Sequence, residues 1–296
     1  MPAPHILDGR SLAQDLLEQI RGEVVRLRQE HGCVPHLVNI MMGEEPGACA
    51  YARSQKRVAQ QAGIQYDLFM LPQEAGQEEL ETCIRRLNHD PAVNGVMIHK
   101  PFPDHIDYQR AANCLDVRKD LEGINVANIG KMLLGETRMI PCTPAAVMEH
   151  LKSTGQPLRG KEAVIVGASH IVGKPLSLLL LQEMATVTVC HIATSEAGKL
   201  PAHVGRADVL IVAAGKPGLI KGPWVREGAI VIDVGINQVG GNIVGDVEFE
   251  TAKERASFIT PVPGGVGPVT VMMLMRNGLE AFKRQIAEGE PFRREE

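Results

Sequence analysis

Short apolar runs alternate with amphipathic segments along almost the whole chain, and this alternation restricts the possible folds more than any other feature. The runs at 36–42, 95–98 and 163–166 have the length and composition of buried strands. Between such runs, apolar residues recur at helical spacing, as in the segments that end at Gly63 and Leu87. Further strands are predicted at 66–71, 186–190, 209–213 and 230–233. Strands that alternate with helices favour parallel sheets, so we predict an α/β fold.

Capping residues and composition divide this α/β chain into two predicted domains. Ser11 to Gln14 has the pattern of a capping box for the first helix, and Thr143-Pro144 is typical of a helix start. We place the boundary there, which gives a first domain at 1–142 and a Rossmann-like parallel sheet at 143–275. The last helix is predicted from Thr270 to about Ala287, and the segment 276–296 is expected to join the first domain.

Charge, cysteine spacing and hydropathy exclude several classes of function. A net charge of −4 offers no basic surplus for nucleic acid, so no nucleic-acid partner is expected. No apolar run approaches the ~20 residues of a membrane helix, and the first five residues lack signal-peptide features, so no membrane partner is expected. The six cysteines are scattered without a C-x-x-C pair, so neither a metal site nor a disulfide framework is expected. We expect a soluble cytoplasmic protein.

A glycine-bearing turn follows the predicted strand at 163–166. Gly167 and Gly173 flank five residues where that strand passes into a helix, a position that directs helix amides at a pyrophosphate. The alternative is a tight turn that serves only the fold. Asp233 and Asn237 lie near the end of the predicted strand at 230–233, and they either contact a cofactor ribose or cap backbone groups.

Four stretches together resemble the methylenetetrahydrofolate dehydrogenase/cyclohydrolase family. They are VGASHIVGKP (166–175), ADVLIVAAGKP (207–217), VIDVGIN (231–237) and TPVPGGVGP (260–268). The segments GEEP (43–46) and PCTP (141–144), with Tyr51 and Lys119-Asp120, fall in the family's order. The resemblance implies oxidation of 5,10-methylenetetrahydrofolate to 5,10-methenyltetrahydrofolate with NAD(P)+ and hydrolysis to 10-formyltetrahydrofolate. It also implies an active site in a cleft between the two domains, and a homodimer.

The chain departs from the family at three of the four positions that carry the chemistry. The family has a catalytic Lys four residues after the Tyr, but here Gln55 follows Tyr51, and Lys56 lies ~100° around the helix. The family's Gln that tunes this Lys is replaced by His99, and an apolar neighbour is replaced by Lys100. The Asp that holds the pterin is replaced by Glu122.

The resemblance therefore implies a modified active site. Its expected catalytic residues are Tyr51, Gln55, His99 and Glu122, and its expected substrate-binding residues are Tyr51, Lys100, Pro101, Glu122, Pro263, Gly264 and Gly265. Hydride transfer depends mainly on positioning and tolerates the loss of the Lys, whereas hydrolysis needs a proton acceptor. Either His99, with Lys100, has taken over proton handling, or His99 is only a hydrogen-bonding partner of Gln55.

The cofactor site also departs from the family. The expected cofactor-binding residues are Gly167, Ala168, Ser169, Val172, Gly173, His191, Ile192, Ala214, Gly215, Ile236 and Thr270. Ala168 and Ile192 replace the Arg and Ser that hold the 2′-phosphate of NADP in the family. We expect NAD to be favoured over NADP, unless Lys199 or Arg206 substitutes. Two other hypotheses stay open: a same-fold enzyme for a different one-carbon carrier or pterin-like substrate, and a non-catalytic folate-binding regulator.

Overall fold

The computed structural model describes residues 5–136 and 139–289. Within them the strands are β1 (His5–Ile6), β2 (His36–Met42), β3 (Gln65–Leu71), β4 (Gly95–Ile98), β5 (Glu162–Val166), β6 (Thr186–Cys190), β7 (Val209–Val212), β8 (Ile230–Asp233), β9 (Asn237–Val239), β10 (Asn242–Val244) and β11 (Phe258–Ile259). The helices are α1 (Gly9–His31), α2 (Pro46–Ala62), α3 (Gln77–His89), α4 (Tyr108–Cys114), α5 (Val126–Leu133), α6 (Cys142–Ser153), α7 (Gly173–Gln182), α8 (Ile192–Glu196), α9 (Leu200–Val204), α10 (Phe249–Ala252) and α11 (Val266–Ala287).

The described residues form two compact units. One contains the residues up to Gln14 together with Thr143–Thr270, and we call it the large-sheet unit. The other contains Asp15–Cys142 and the residues from Val271 onward, and we call it the small-sheet unit. The unit boundaries fall inside α1 and α11, so each of these helices contributes to both units. The part of the predicted segment 276–296 beyond Gly289 lies outside the described residues.

The large-sheet unit is built on a six-stranded parallel sheet in the order β1-β11-β8-β7-β5-β6. Its central strands are buried along their full length, which explains their continuous runs of Val, Ile and Leu. The strand β1 reaches this sheet by pairing with β11, which is why the start of the chain groups with this unit. A two-stranded antiparallel hairpin, β9 with β10, follows β8.

The small-sheet unit has a three-stranded parallel sheet in the order β3-β2-β4. The central strand β2 is buried at every position after His36, and its core packs against α3 and β4. Asn39 lies in the middle of this strand and is fully buried. His99 directly follows the carboxyl end of β4, the strand that pairs with β2.

The expected fold class, two α/β domains with a parallel sheet in the second, is confirmed. Within the described residues, no helix is long and apolar enough to cross a membrane. In the same residues, no group of three or more His, Cys, Asp or Glu side chains is arranged to hold a metal ion.

Three predicted helix starts are wrong by at most four residues. In each case the observed helix begins earlier in the chain. The helix α1 begins at Gly9, and Asp8 rather than Ser11 accepts a hydrogen bond from a free amide, that of Arg10 at 2.9 Å. The helix α6 begins at Cys142, so Thr143 lies inside it. The helix α11 begins at Val266, because Pro is tolerated in a first turn whose amides have no helical partner.

Met184 has a left-handed backbone with φ of 61°, and its side chain is 57% exposed. A side chain costs roughly 1–2 kcal/mol in this conformation, whereas glycine adopts it freely. We expect Met184→Gly to raise the free energy of unfolding by about 1 kcal/mol. This value allows for the conformational entropy that glycine adds to the unfolded chain, which opposes the gain. Chemical denaturation measures this, with Met184→Ala as the control that keeps the Cβ atom. Equal stability of the Gly and Ala variants would contradict the expectation.

Candidate functional site

The helix α2 presents Tyr51 and Gln55 on one face of the small-sheet unit. Glu45 caps its start by accepting from the amides of Gly47 and Ala48, and Gly63 ends it with a left-handed φ of 77°. These two ends fix the rotation of the helix, so that Gln55 is 2% exposed while Lys56 points to solvent. The prediction that Lys56 faces away from the site is therefore confirmed.

A buried polar network surrounds Gln55. The hydroxyl of Tyr66 donates to Gln55 Oε1 at 2.8 Å, and Asn39 Nδ2 lies 2.8 Å from the same hydroxyl and 3.3 Å from Gln55 Oε1. Asn39 Nδ2 also lies 3.2 Å from His99 Nδ1. Within the described residues His99 and Gln55 share no direct hydrogen bond, so the role of hydrogen-bonding partner of Gln55, one of the two left open for His99, is at most indirect. Asn39 on the central strand separates the two side chains and bridges them.

His99 is neutral in this network. It is 6% exposed, and burial lowers its pKa below the usual range. Nδ1 of His99 contacts the side-chain amide of Asn39, whose Oδ1 is buried without a hydrogen-bond partner among the described residues. The ring also contacts Tyr51, with centroids 5.5 Å apart and planes tilted by 60°. These two contacts hold the His99 ring in place beside Gln55.

Lys100 is positioned differently from His99. Its ammonium group lies 3.9 Å from the centroid of the Tyr108 ring, a cation–π contact that fixes the charge near α4. The next residue, Pro101, lines a separate open cavity of about 520 Å³ beside Gly43 and Gln73. Lys100 thus supplies a cation at the edge of the site, outside the hydrogen-bond network around Gln55.

Glu122 is brought to the site by a backbone extension of the small sheet. The amide of Val96 in β4 donates to the carbonyl of Lys119, and the amide of Leu121 donates to the carbonyl of Val96. Gly123 follows Glu122 with a φ of 61°. A Cβ atom at Gly123 would lie 2.7 Å from the carbonyl oxygen of Met139, so only glycine fits. Oε2 of Glu122 is buried and makes no hydrogen bond with the described residues.

The ionisation of Glu122 is strongly perturbed. Burial, reinforced by the charge of Asp120, raises the pKa of Glu122 to about 8, while a hydrogen bond from the backbone of Ile98 and the cation of Lys100 oppose the shift. Burial raises the pKa of the Tyr51 hydroxyl too. A carboxyl group with an unpaired buried oxygen and a raised pKa is typical of a binding or catalytic position.

The turn after β5 in the large-sheet unit depends on two glycines. Gly167 has a φ of 126°, and a Cβ atom there would lie 2.2 Å from the carbonyl oxygen of Ala213. A Cβ atom on Gly173 would lie 1.9 Å from the carbonyl oxygen of Gly167. Both glycines are thus required by the close approach of backbone segments, and Val172 completes the turn by donating from its amide to Ser169 Oγ at 3.2 Å.

A cavity of about 350 Å³ opens at this turn, at the carboxyl edge of the large sheet. It is lined by Val166, Gly167, Ala168, Ser169, Cys190, His191, Ile192, Ser195, Leu200, Ala213, Ala214, Lys216 and Leu219. Six of the expected cofactor residues thus share one cavity, whereas Val172, Gly173 and Gly215 lie beside it in the chain. A parallel sheet with a cavity at this edge is the usual place for a nucleotide.

Of the two basic residues considered as substitutes for the phosphate partners, Arg206 is already occupied. Its guanidinium donates to Thr188 Oγ1 at 2.7 Å and lies 3.8 Å from Glu162. Lys199 is exposed in the turn before α9. Neither residue lines the cavity, whose mouth carries Ala168 and the largely exposed Ile192.

The Pro- and Gly-rich stretch from Thr260 to Pro268 lines a second cavity in the large-sheet unit, of about 220 Å³. Its lining residues include the expected substrate residues Pro263, Gly264 and Gly265, the expected cofactor residue Ile236, and also Arg10 and Asp233. Thr270 lies one turn into α11, where its hydroxyl donates to the carbonyl of Val266 at 3.1 Å. The predicted site residues therefore form three groups, one in the small-sheet unit and two in the large-sheet unit.

Asp233 and Asn237 cap backbone and side-chain groups, which is the second of the two roles expected for them. Asp233 accepts from the amides of Gly235, Asp246 and Val247, and burial raises its pKa to about 6. Asn237 donates to Asp246 Oδ1 at 2.8 Å. The carboxylate of Asp246, in turn, accepts from the loop after β7.

Asn39, Tyr66, Tyr108 and Asp246 are site residues that sequence reasoning missed. Asn39 and Tyr66 were detectable as polar groups inside predicted buried strands, where an unpaired polar atom is costly. Tyr108 and Asp246 gave no such signal, because their partners lie far away in the sequence.

Two parallel α/β units, one with a glycine turn and a cavity at the carboxyl edge of its sheet, are the architecture of a two-domain dinucleotide-binding protein. Comparison with known families agrees: the tetrahydrofolate dehydrogenase/cyclohydrolase catalytic domain matches residues 7–122, and the NAD(P)-binding domain of the same enzymes matches residues 141–286. The chain belongs to the tetrahydrofolate dehydrogenase/cyclohydrolase family.

Individual relatives match over nearly their whole length. The bifunctional protein FolD of Moorella thermoacetica is 44% identical, over 96% of this chain and 100% of that protein. The structure of the bifunctional FolD enzyme of Campylobacter jejuni superposes with a TM-score of 0.93 at 40% identity, covering 96% of this chain and 100% of that one. The Trypanosoma brucei enzyme, solved with NADP and an inhibitor, gives a TM-score of 0.92 at 38% identity, covering 97% and 99%.

The raised pKa of Glu122 makes a prediction about stability. Between the unfolded pKa near 4.5 and the folded pKa of about 8, the folded chain binds more protons than the unfolded chain, so stability falls as the pH rises through this window. Glu122→Gln removes the titration. We expect the free energy of unfolding of this variant, relative to the unsubstituted protein, to rise by roughly 1–3 kcal/mol from about pH 5 to about pH 9.

Chemical denaturation across this pH range measures the difference for Glu122→Gln. The matched control is Glu44→Gln, which makes the same change at an exposed position of the same unit. A pH-independent difference for Glu122→Gln would contradict the assigned environment of the carboxyl group.

Proposed function

We propose that this protein oxidises 5,10-methylenetetrahydrofolate to 5,10-methenyltetrahydrofolate with NAD(P)+ and hydrolyses the methenyl product weakly or not at all. The observation that carries the second part is Gln55, a buried and uncharged side chain at the position where the family has its catalytic Lys. Family membership supports the first part.

Substrate binding in the small-sheet unit rests on Tyr51 and Glu122. The Tyr51 side chain is 39% exposed beside otherwise buried partners, so its ring is free to stack on an aromatic part of the folate. The carboxylate of Glu122 accepts hydrogen bonds from the aminopyrimidine edge of a pterin, a role that its unpaired Oε2 supports. Donation from the pterin favours the ionised carboxylate and offsets the cost of its burial.

The residues of the 350 Å³ cavity fit a dinucleotide. Gly167 keeps the backbone open where a Cβ atom has no room, and α7 begins directly after the turn and directs its amino end toward it. Ser169, His191 and Ala214 supply polar and small groups around the cavity. When bound, the nicotinamide cofactor accepts the hydride from the methylene carbon.

Oxidation makes few demands on proton transfer. The hydride leaves with its electron pair, and the positive charge that remains is delocalised over the two nitrogens that flank the carbon. The chain's contribution is to orient the folate, through Tyr51 and Glu122, and to exclude water by the apolar packing below them. Neither the Gln55 network nor His99 has to gain or lose a proton in this step.

Hydrolysis makes a stricter demand. Water adds to the methenyl carbon and must lose a proton, and a positioned base typically contributes ~10²–10⁴-fold to such a step. Gln55 has no basic atom, and Nδ1 of His99 is engaged with the side-chain amide of Asn39 at 3.2 Å. Lys100 is committed to the face of Tyr108. These contacts support the hypothesis of a dehydrogenase over that of a full bifunctional enzyme.

We also propose that NAD is favoured over NADP. The cavity mouth has Ala168 and Ile192 at the positions where the family's Arg and Ser hold the 2′-phosphate, and Arg206 is engaged with Thr188 and Glu162. Without a guanidinium, the additional phosphate gains no bidentate hydrogen bonds to offset its desolvation.

A homodimer in the cytoplasm is proposed on the family resemblance alone. Light scattering from the purified protein measures the assembly, and the mass of a single chain would contradict the dimer.

The hydrolysis proposal predicts the effect of restoring the lysine. We expect Gln55→Lys to raise the rate of methenyl hydrolysis by about tenfold or more, because it returns a proton acceptor to the site. Absorbance of the methenyl product and of the reduced cofactor measures hydrolysis and oxidation separately. The matched control is Lys56→Gln, which changes the neighbouring exposed position and is expected to alter neither rate by more than about twofold.

Two results would contradict this account of hydrolysis. One is unchanged hydrolysis in a folded Gln55→Lys variant. The other is a large loss of hydrolysis in His99→Ala with oxidation preserved, since that would identify His99 as the base.

The cofactor proposal predicts a preference and its reversal. We expect kcat/KM for NAD+ to exceed that for NADP+ by about tenfold or more, and Ala168→Arg to shift the ratio toward NADP+ by a similar factor. Ala168→Gln adds length without charge and is the control, expected not to reverse the ratio. A clear NADP+ preference of the unsubstituted protein would contradict the proposal.

A further inference from the structure

The loop after β7 directs three successive backbone amides at one carboxylate. The amides of Ala214 and Gly215 donate to Asp246 Oδ2 at 2.6 and 2.8 Å, and that of Lys216 donates to Oδ1 at 2.8 Å. Consecutive amides that converge in this way form a nest, which is an anion-binding concavity. Here the anion is part of the chain itself, and Asp246 is 0% exposed.

The carboxylate of Asp246 is fully satisfied and held from a second side. Asn237 Nδ2 donates to Oδ1 at 2.8 Å, so each oxygen accepts two hydrogen bonds and the usual capacity of a carboxylate is filled. The amide of Asp246 donates to Asp233 Oδ1 at 3.1 Å, which ties it to the end of β8. A Cβ atom on Gly235 would lie 2.3 Å from Asp246 Cγ, so the approach requires glycine there.

This nest forms one wall of the 350 Å³ cavity. Ala214 and Lys216 line the cavity together with the Gly167–Ser169 turn, and Gly215 between them has a left-handed φ of 63°. The three amides point away from the cavity toward Asp246 and are not available to a ligand. Phosphate binding is thereby left to the Gly167 turn and the start of α7.

We propose that Asp246 is a positioning residue for the dinucleotide: its carboxylate fills the amide nest of Ala214, Gly215 and Lys216 and thereby sets the shape of the cavity wall. The assignment rests on the proposed function, because it takes this cavity as the nucleotide site. Without the carboxylate, the three amides lose the acceptor of their part-buried hydrogen bonds, and the loop must move to find water or other partners. The cost falls on cofactor affinity and not on folate affinity.

The test compares Asp246→Asn with Asp208→Asn. Asp208 precedes β7, at the opposite end of the same strand, and also accepts a backbone hydrogen bond, from Glu162 at 2.9 Å. The two variants thus remove the same charge from the same unit, but only one change reaches the cavity. Calorimetric titration measures the Kd of NAD+, of NADP+ and of folic acid for each protein.

We expect Asp246→Asn to raise the Kd of the preferred nucleotide by about tenfold or more, with the Kd of folic acid unchanged within about twofold. We expect Asp208→Asn to leave both within about twofold. A folded Asp246→Asn protein with unchanged nucleotide affinity would overturn the inference. Equal losses for nucleotide and folic acid, or equal losses in the Asp208→Asn control, would also overturn it, because they indicate general destabilisation.

Asn237→Ala keeps the test decisive if Asp246→Asn does not fold. This variant removes one of the four hydrogen bonds to the carboxylate, and we expect it to raise the nucleotide Kd by about threefold, in the same direction. Unchanged affinity in Asn237→Ala would then overturn the inference. If the unsubstituted protein binds neither NAD+ nor NADP+, the proposed function itself fails, and that result is distinct from a failure confined to the variants.

Discussion

The buried hydrogen-bond network of Asn39, Gln55, Tyr66 and His99 is the constraint on which the chemistry of the small-sheet unit depends. Its members are each less than a tenth exposed and none carries a charge, because burial holds His99 in its neutral form. A lysine at position 55 would bring a charge into this interior and would need an acceptor beside it. We propose that Gln55 and His99, at the positions where the family has Lys and Gln, are one coordinated pair of replacements that keeps substrate binding and removes a base.

The large-sheet unit depends on close backbone approach instead of polar side chains. Gly167 and Gly173 let the turn fold against the next strand, and Gly235 lets Asp246 reach its nest. The result is a cavity whose walls are fixed by backbone hydrogen bonds before a ligand arrives. A preformed wall of this kind lowers the ordering cost of binding. The proposed preference for NAD rests on two side chains that line this cavity, Ala168 and Ile192.

Much of the fold followed from sequence because its signals are local. The strands 36–42, 95–98 and 230–233 were predicted with their observed bounds, since buried parallel strands are continuous apolar runs. The helix starts near Ser11 and Thr143 were misplaced, because side chains competent to cap also occur inside a first turn. The bridging role of Asn39 was out of reach: it depends on the rotamers of side chains from three separate strands and a helix.

The site residues also divide into those that a local sequence pattern predicts and those that depend on contacts with distant segments. Tyr51, Gln55 and Lys56 were oriented correctly from helical spacing alone. The role of His99 was left open, because its hydrogen-bond partner Asn39 lies sixty residues away in the sequence. The family resemblance suggests which residues depart from the pattern, whereas the contacts show which groups each of these side chains meets.

The most direct test of the central claim is the ratio of two rates for the unsubstituted protein, methylene oxidation with NAD+ and hydrolysis of added methenyltetrahydrofolate, each corrected for the spontaneous reaction. The proposed loss of the hydrolytic base at position 55 predicts measurable oxidation with hydrolysis slower by about a hundredfold or more. Hydrolysis as fast as oxidation would contradict the account, because another group, His99 or Glu122, would then have to accept the proton.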